Sequence, residues 1–501
     1  MTKASVIVDK DFVLSDLDRR IFGQFAEHMG RCIYGGLYEP GHPTADEHGF
    51  RQDVMELVKE LGVTIVRYPG GNMLSGYNWE DGVGPKENRP RRLELSRFVT
   101  ETNQMGTDDF IDWCRKTGIE PMLATNVASR DLNGAWGHVE YCNIPGGTTM
   151  SDKRRANGYE EPHNVKFWCI GNEPDGFWQI AQKSAKEYGR IVAEAAKIIK
   201  WIDHEIEVAA SASSNRNMPH YGDWERTILE DAFDYIDYLA PHTYFKNDPD
   251  TMEFFANIEL MDAYIKETVA MCDAVAGQRR SSKRIMLSFD EWNIAARWKP
   301  EDKKAKPGEW PDVLPIIEDV YTVEDALLIG GTMQTLINNG DRVKVACFAQ
   351  MVNVIAPIMT EDGGPAWRQT IFWPLALASK YGHGKILKQV VSSEKTATKA
   401  WADMPYLVST VLHDDATGQT VIFALNRNLK EPMELSVALK GLGEGRSVVA
   451  THEIANDDLK ATNTRDNPDN IRPGTIASVR VDGETVSATL KPASWNVIVI
   501  N

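Results

Sequence analysis

The stretch KFWCIGNEPD, residues 166–175, shows the pattern that decides the fold, because an apolar run ends abruptly in polar residues. Short apolar runs bounded by turn residues are typical of strands buried in a sheet. Seven other segments have the same form. The eight predicted strands are RRIFGQFAEHM (19–29), VTIVRYPGG (63–71), EPMLATNV (120–127), KFWCIGNEP (166–174), IEVAASASS (206–214), YIDYLAPHTY (235–244), RIMLSFDEWN (284–293) and VKVACFAQMV (343–352).

Between these strands lie stretches that are apolar at the helical period, among them TDDFIDWCRKTG (107–118) and QKSAKEYGRIVAEAAKIIKWID (182–203). Alternating strands and helices favour a parallel sheet, and eight such units predict an α/β fold, a TIM (β/α)8 barrel, over residues 19–385. Barrels of this kind carry their active sites at the carboxyl ends of the strands. The polar residues that end each apolar run are therefore candidates for the site.

The helical period fades after about residue 385, and short alternating apolar runs such as QTVIFALNR (419–427) follow, separated by Gly, Asn and Asp. This pattern predicts an all-β sandwich domain over residues 386–501. The segment 1–18 also alternates like a strand and precedes the first barrel strand. We expect it to join the C-terminal sandwich.

The composition is that of a soluble globular protein, with 42% apolar and 25% charged residues and a net charge of −17. No basic stripe indicates a nucleic-acid partner, and no apolar run indicates a membrane span or an export signal. Scattered cysteines without CxxC pairs are typical of reduced thiols in a cytoplasmic protein. The six are Cys32, Cys114, Cys142, Cys169, Cys272 and Cys347.

Two carboxylates have the placement that retaining cleavage of a glycosidic bond needs, with one protonating the leaving oxygen and the other attacking the anomeric carbon. Glu173 ends the fourth predicted strand and Glu291 the seventh, so both face the same barrel mouth. Asn172 precedes Glu173, and its amide is suited to a sugar hydroxyl beside the anomeric centre. The alternative is that both are solvated acids at strand ends.

The motifs RYPGGN, GYNWEDGVGP, ETNQMGTDDFIDW, GNEPDGFWQ, HTY, DEWN and SWNVIVI together resemble glycoside hydrolase family 51, which consists chiefly of α-L-arabinofuranosidases. The similarity covers nearly the whole chain. It implies a TIM barrel with a β-sandwich and a retaining, exo-acting enzyme that releases arabinofuranosyl units from arabino-oligosaccharides. It also implies that Glu173 is the acid/base, that Glu291 is the nucleophile, and that the chain forms a homo-oligomer, often a hexamer.

The same resemblance implies contacts between the furanose hydroxyls and five side chains, which are Glu27, Asn72, Asn172, Tyr244 and Gln350. The residues themselves suggest three more members of the site. Arg67 would favour the ionised form of Glu291, although a structural ion pair is an equal alternative. His242 would join the hydrogen-bond network around Glu291, although a lone histidine is as often structural, and Trp178 would help raise the pKa of Glu173 as a hydrophobic neighbour. No histidine or cysteine spacing indicates a metal, and no cofactor is expected.

Two positions depart from the family pattern. Arg97 and Ala295 stand where aromatic residues commonly stack on the leaving-group sugar. We therefore expect faster cleavage of short arabino-oligosaccharides than of polymeric arabinan or arabinoxylan. A retaining hydrolase of pyranosides, such as an endo-glucanase or β-xylosidase, and a non-catalytic carbohydrate-binding protein remain alternatives at this point.

Overall fold

The computed structural model describes residues 1–298, 305 and 308–501, and its first unit is a closed barrel of parallel strands. Each strand pairs with the next along the chain, and the last pairs with the first. The predicted barrel is confirmed. Its strands are Gly23–Phe25, Ile65–Tyr68, Glu120–Thr125, Phe167–Ile170, Glu207–Ser211, Tyr238–Ala240 with His242–Phe245, Met286–Ile294 and Val343–Ala349.

Most of the predicted strands extend a few residues beyond the observed ones, and two differ in more than their ends. The sixth is not continuous over 235–244, because Pro241 has no N–H for the ladder and separates Tyr238–Ala240 from His242–Phe245. Both pieces pair with the seventh strand. The first strand is shorter than predicted, since Arg19–Phe22 forms a 3₁₀ turn before it.

Helices cover the outside of the barrel and begin at well-formed caps. Ser184 precedes the helix Ala185–Ile202, and its hydroxyl and the Glu187 side chain each bond the other residue's backbone N–H. The α-helices are Gln52–Leu61, Thr107–Thr117, Leu132–Asn143, Thr149–Ala156, Ala185–Ile202, Asp223–Ala232, Thr251–Phe255, Asn257–Gln278, Val323–Asn338 and Phe372–Tyr381. Further 3₁₀ turns are Asn72–Gly76, Trp79–Gly82 and Lys86–Asn88.

The C-terminal region is an all-β unit built on one curled nine-stranded sheet, whose two halves enclose an apolar core that includes Val6, Ile422, Val437 and Ile498. The strand Thr2–Asp16 belongs to it. The other strands are Lys385–Ser393, Leu407–His413, Thr420–Asn426, Met433–Lys440, Val448–Ile454, Val479–Asp482, Thr485–Leu490 and Ser494–Ile500. Two-stranded ribbons are Arg92–Glu94 with Val99–Glu101, Ile358–Thr360 with Ala366–Arg368, and Lys395–Thr396 with Met404–Pro405.

The N-terminal strand Thr2–Asp16 lies inside this sheet, antiparallel to Lys385–Ser393 and parallel to Met433–Lys440. Its alternating burial places Ala4, Val6 and Val8 in the core. The two ends of the chain therefore meet in one unit, although the whole barrel separates them in sequence.

The sheet packs against the barrel through the helix Val323–Asn338. Gly330 allows this close approach, since a Cβ there would lie 2.5 Å from Cδ1 of Trp495. The indole N–H of Trp495 donates to Gln334 at 3.1 Å. All six cysteines are buried and unpaired. Among the described residues, no helix combines the length and hydrophobicity that a membrane crossing needs.

Candidate active site

A cavity of about 610 Å³ opens at the carboxyl ends of the barrel strands and gathers the predicted residues in one place. Seven of the ten line its wall, namely Glu27, Asn72, Glu173, Trp178, Tyr244, Glu291 and Gln350. The other three, Arg67, Asn172 and His242, are buried directly beneath and bonded to those seven or to each other. Residues from six of the eight strands or the loops after them thus converge.

The two acids lie close together. One carboxylate oxygen of Glu173, one of Glu291 and a ring nitrogen of His242 all fall within 4.8 Å of one another. A separation of about 5 Å is the spacing that retaining glycosidases use, whereas inverting enzymes leave about 6.5–9.5 Å for a water molecule. The geometry fits direct attack by one carboxylate on a sugar held between the two.

Glu291 reaches the cavity through an irregularity in the seventh strand. The ladder between Met286–Ile294 and Val343–Ala349 changes register between Phe289 and Trp292. In a regular strand, successive side chains point to opposite faces. Here the carboxylates of both Asp290 and Glu291 contact Arg67 inside the barrel, because such a bulge re-aims side chains.

Glu173 is placed by a sharp turn after the fourth strand. Its own φ is 43° and that of Gly171 is 74°, so both occupy the left-handed region, which is unusual for a glutamate. The indole N–H of Trp178 donates to Glu173 Oε2 at 2.9 Å. This contact depends on Gly176, because a Cβ there would lie 2.4 Å from Cε2 of the indole ring.

Glu291 is surrounded by donors. Nη1 of Arg67 donates to Oε2 of Glu291 at 3.0 Å, and the Tyr244 hydroxyl donates to Oε1 at 2.6 Å. A guanidinium and a phenolic O–H both favour the ionised carboxylate. The environment therefore suits a nucleophile that must carry a negative charge.

His242 joins the two acids to a third, Asp290. Its Nδ1 lies 3.1 Å from Glu173 Oε1 and its Nε2 lies 2.9 Å from Asp290 Oδ1. Burial opposes a charge on His242, but Glu291, Asp290 and Glu173 outweigh it and raise the His242 pKa to about 10. Burial likewise opposes ionisation of Asp290, but Arg67 and His242 hold its pKa below its ordinary value. His242 is therefore cationic at neutral pH.

Glu173 has the character of an acid that keeps its proton. Burial raises its pKa and the neighbouring Glu291 adds to the rise, while the hydrogen bonds from His242 and Trp178 oppose it. The net direction is upward, but the prediction that Trp178 raises the Glu173 pKa is wrong, because its N–H donates to the carboxylate and favours the ionised form. Glu173 and Glu291 thus differ in environment, which is how enzymes separate an acid from a nucleophile.

The remaining side chains present hydrogen-bonding groups to the cavity. Arg67 Nη2 donates to Asn172 Oδ1 at 2.8 Å, which leaves the buried Nδ2 of Asn172 without a partner among the described residues. Gln350 Nε2 donates to Glu27 Oε2 at 2.7 Å. Burial raises the pKa of Glu27 to about 7, with Glu291 adding to the rise and Arg97 opposing it.

Two functional residues were missed by sequence reasoning. Gln179 donates to Asn72 Oδ1 at 2.5 Å and accepts from the Ser75 hydroxyl at 2.8 Å, which orients the Asn72 amide. Its place in GNEPDGFWQ was a signal that went unused. Asp290 was overlooked because alternation along a strand would have pointed it away from the interior.

A closed parallel barrel with two carboxylates this close at the mouth defines a glycoside hydrolase. Comparison with known proteins gives the family. Residues 57–264 match the family described as α-L-arabinofuranosidase 1 domain, and residues 290–494 match the α-L-arabinofuranosidase C-terminal domain.

Full-length relatives agree. An intracellular exo-α-(1→5)-L-arabinofuranosidase of Halalkalibacterium halodurans is 47% identical over 99% of this chain and 98% of its own length. An exo-α-(1→6)-L-arabinofuranosidase of Bifidobacterium longum is 42% identical over 99% and 97%. The solved structure of AbfB, a family 51 α-L-arabinofuranosidase from Bifidobacterium longum, matches with a TM-score of 0.95 and 41% identity, covering 100% of both chains. The chain belongs to glycoside hydrolase family 51, the α-L-arabinofuranosidases.

Proposed function

We propose that this protein is an exo-acting α-L-arabinofuranosidase that works with retention of configuration, with Glu291 as nucleophile and Glu173 as general acid/base. The main support for the proposal is that a carboxylate oxygen of Glu173 lies within 4.8 Å of a carboxylate oxygen of Glu291. Their environments support the division of roles, because Arg67 and Tyr244 bond Glu291 whereas burial raises the pKa of Glu173.

In the first step, a carboxylate oxygen of Glu291 forms a bond to the anomeric carbon as the bond to the leaving oxygen breaks. The proton of Glu173 passes to that leaving oxygen. In the second step, Glu173 takes a proton from a water molecule, whose oxygen attacks the anomeric carbon and releases Glu291. Once Glu291 is esterified its negative charge is gone, so the Glu173 pKa falls and Glu173 becomes a base.

We base the proposed substrate contacts on buried polar atoms of the site that have no hydrogen-bond partner among the described residues. Nδ2 of Asn172 and Oε1 of Gln350 are buried without protein partners among the described residues, and both belong to the site. A furanose hydroxyl would supply the missing partner in each case. Glu27, Asn72 and Tyr244 complete the proposed ring of sugar contacts.

The substrates we propose are short arabino-oligosaccharides with a terminal arabinofuranosyl unit. The names of the relatives support an exo mode, although they differ in linkage between (1→5) and (1→6). We also propose an intracellular homo-oligomer, with the localisation following the name of the Halalkalibacterium relative. Light scattering on the purified protein would measure the oligomer size.

The test is proton NMR of the first product released from an aryl α-L-arabinofuranoside, beside matched aryl β-xyloside and β-glucoside. We expect hydrolysis of the arabinofuranoside alone and an initial α product. An initial β product would contradict retention of configuration. Faster cleavage of either pyranoside would contradict the proposed specificity for arabinofuranosides. Comparing rates on arabinobiose and intact arabinoxylan checks the preference for short substrates.

A further inference from the structure

Arg97 lies in the wall of the active-site cavity, on the turn between the strands Arg92–Glu94 and Val99–Glu101. Its Nη2 is 3.6 Å from Sδ of Met29, and the same sulfur is 3.5 Å from Nε2 of Gln350. One methionine side chain thus separates Arg97 from the proposed sugar contacts. Arg97 is therefore close enough to the proposed sugar contacts to reach a group attached to the terminal sugar.

The two carboxylates on the strands that flank Arg97, Glu94 and Glu101, are both used in local hydrogen bonds. Glu94 accepts from the backbone N–H of Ser96 at 2.7 Å and from that of Arg97 at 2.8 Å. Glu101 lies 2.9 Å from the ring of His28 and bonds the Tyr34 hydroxyl. Both acids are therefore engaged elsewhere, and no carboxylate among the described residues lies within ion-pair distance of the Arg97 guanidinium.

The guanidinium is poorly satisfied by the protein. Its Nε is buried without a hydrogen-bond partner, and Nη1 reaches only the backbone oxygen of Ser96 at 3.4 Å. Arg97 is partly buried and lines the cavity, so a ligand that brings acceptors would supply partners that the protein does not give its guanidinium. Arg97 presents a planar fork that matches a carboxylate.

A second cation lines the same cavity. Lys246 forms no ion pair within the described part of the chain, whereas Arg216, the third cation of the wall, is neutralised by Glu267 at 2.5 Å. Deeper in the site, the positive charges of Arg67 and His242 are paired with carboxylates. Within the described residues, Arg97 and Lys246 are thus the two cations of the cavity wall without an ion-pair partner, and Glu27 acts on Arg97 only at longer range.

We propose that Arg97 and Lys246 form an anion-recognising subsite for the leaving group, so that the enzyme favours arabinofuranosyl units attached to a sugar that carries a carboxylate, a uronic acid. The proposal rests on the proposed function. Ala295 also lines this cavity, and its short side chain leaves room for such a sugar.

The probes are meta-carboxyphenyl α-L-arabinofuranoside and its uncharged carboxamide, and the readout is the ratio of their kcat/KM values. A charge-assisted hydrogen bond to Arg97 favours the carboxylate over the carboxamide, so we expect this ratio to be about tenfold higher in the wild-type enzyme than in Arg97→Gln. Arg91→Gln is the matched control. It removes the same charge from the neighbouring segment, where Arg91 pairs with Asp312 outside the cavity.

A ratio that is the same in the wild-type enzyme and in Arg97→Gln, or one that Arg91→Gln lowers as much, overturns the subsite. Because both rates come from one preparation of each variant, loss of folded enzyme cancels. Added salt should lower the wild-type ratio more than that of Arg97→Gln, which keeps only Lys246. Failure to hydrolyse either probe would instead overturn the proposed function, and the subsite with it.

Discussion

Asp290 accepts a hydrogen bond from Nε2 of His242 at 2.9 Å, beneath the pair of acids at the barrel mouth. The other ring nitrogen lies 3.1 Å from Glu173. Since Arg67 lies on the far side of Asp290, a chain of alternating charge runs from the barrel interior to the proposed acid/base. The acidity of Glu173 thereby depends in part on residues buried beneath the cavity.

Removing the charge of His242 tests this chain. The cation favours the ionised form of Glu173, so His242→Gln should raise the pKa of Glu173 further. Because the acid works only when protonated, the alkaline limb of the kcat/KM pH profile should move to higher pH. The exposed His204 offers a control in His204→Gln. An alkaline limb that stays in place or moves to lower pH would count against a positioning role for His242.

The two acids should respond differently to truncation. Glu291→Ala should abolish turnover on all substrates, because no carboxylate remains to form the covalent intermediate. Glu173→Ala should lose about 10²–10⁴-fold on substrates whose leaving group needs a proton and much less on activated aryl glycosides. Azide should rescue Glu173→Ala and give a glycosyl azide that NMR identifies. The assignment fails if azide rescues neither variant or if both keep wild-type turnover.

Arg67 should also be important for stability. Arg67→Gln leaves Asp290 and Glu291 without their shared cation, and breaking a buried ion pair costs about 3–5 kcal/mol. Arg92→Gln is the comparison, because Arg92 is exposed to solvent where it pairs with Asp81, and the loss of such a pair should cost little stability. Urea unfolding followed by circular dichroism measures both. Equal losses of unfolding free energy would show that the buried network adds no stability.

Gly176 should be intolerant of even one methyl group. The added Cβ of Gly176→Ala would meet the Trp178 ring at 2.4 Å and displace it, which breaks the bond from its N–H to Glu173. We expect kcat to fall by about tenfold, since hydrogen bonds to charged groups are worth about 1.5–3 kcal/mol. Gly277→Ala is the control, because its Cβ meets open space. Unchanged kcat in Gly176→Ala would show that Trp178 does not assist the acid.

Much of the site was predictable, because apolar runs that end in polar residues mark the carboxyl ends of buried parallel strands. Glu173 and Glu291 were identified in this way. Asp290 was not, because the bulge that turns it inward depends on how its strand pairs with Val343–Ala349. Pro241 is itself a sequence signal for the interruption of the sixth strand, but the apolar residues around it favoured one continuous strand.

The sequence by itself determined the barrel, the all-β unit, the family resemblance and the two acids, because periodicity and motif order are local properties of the chain. Glu173 and Glu291 are 291 − 173 = 118 residues apart in the sequence. Only the tertiary structure decided that their carboxylate oxygens lie within 4.8 Å of each other. It also decided which charges are paired and which, like that of Arg97, are left facing the cavity. The physical reason is that barrel closure sets distances and burial, and electrostatic energies depend on both.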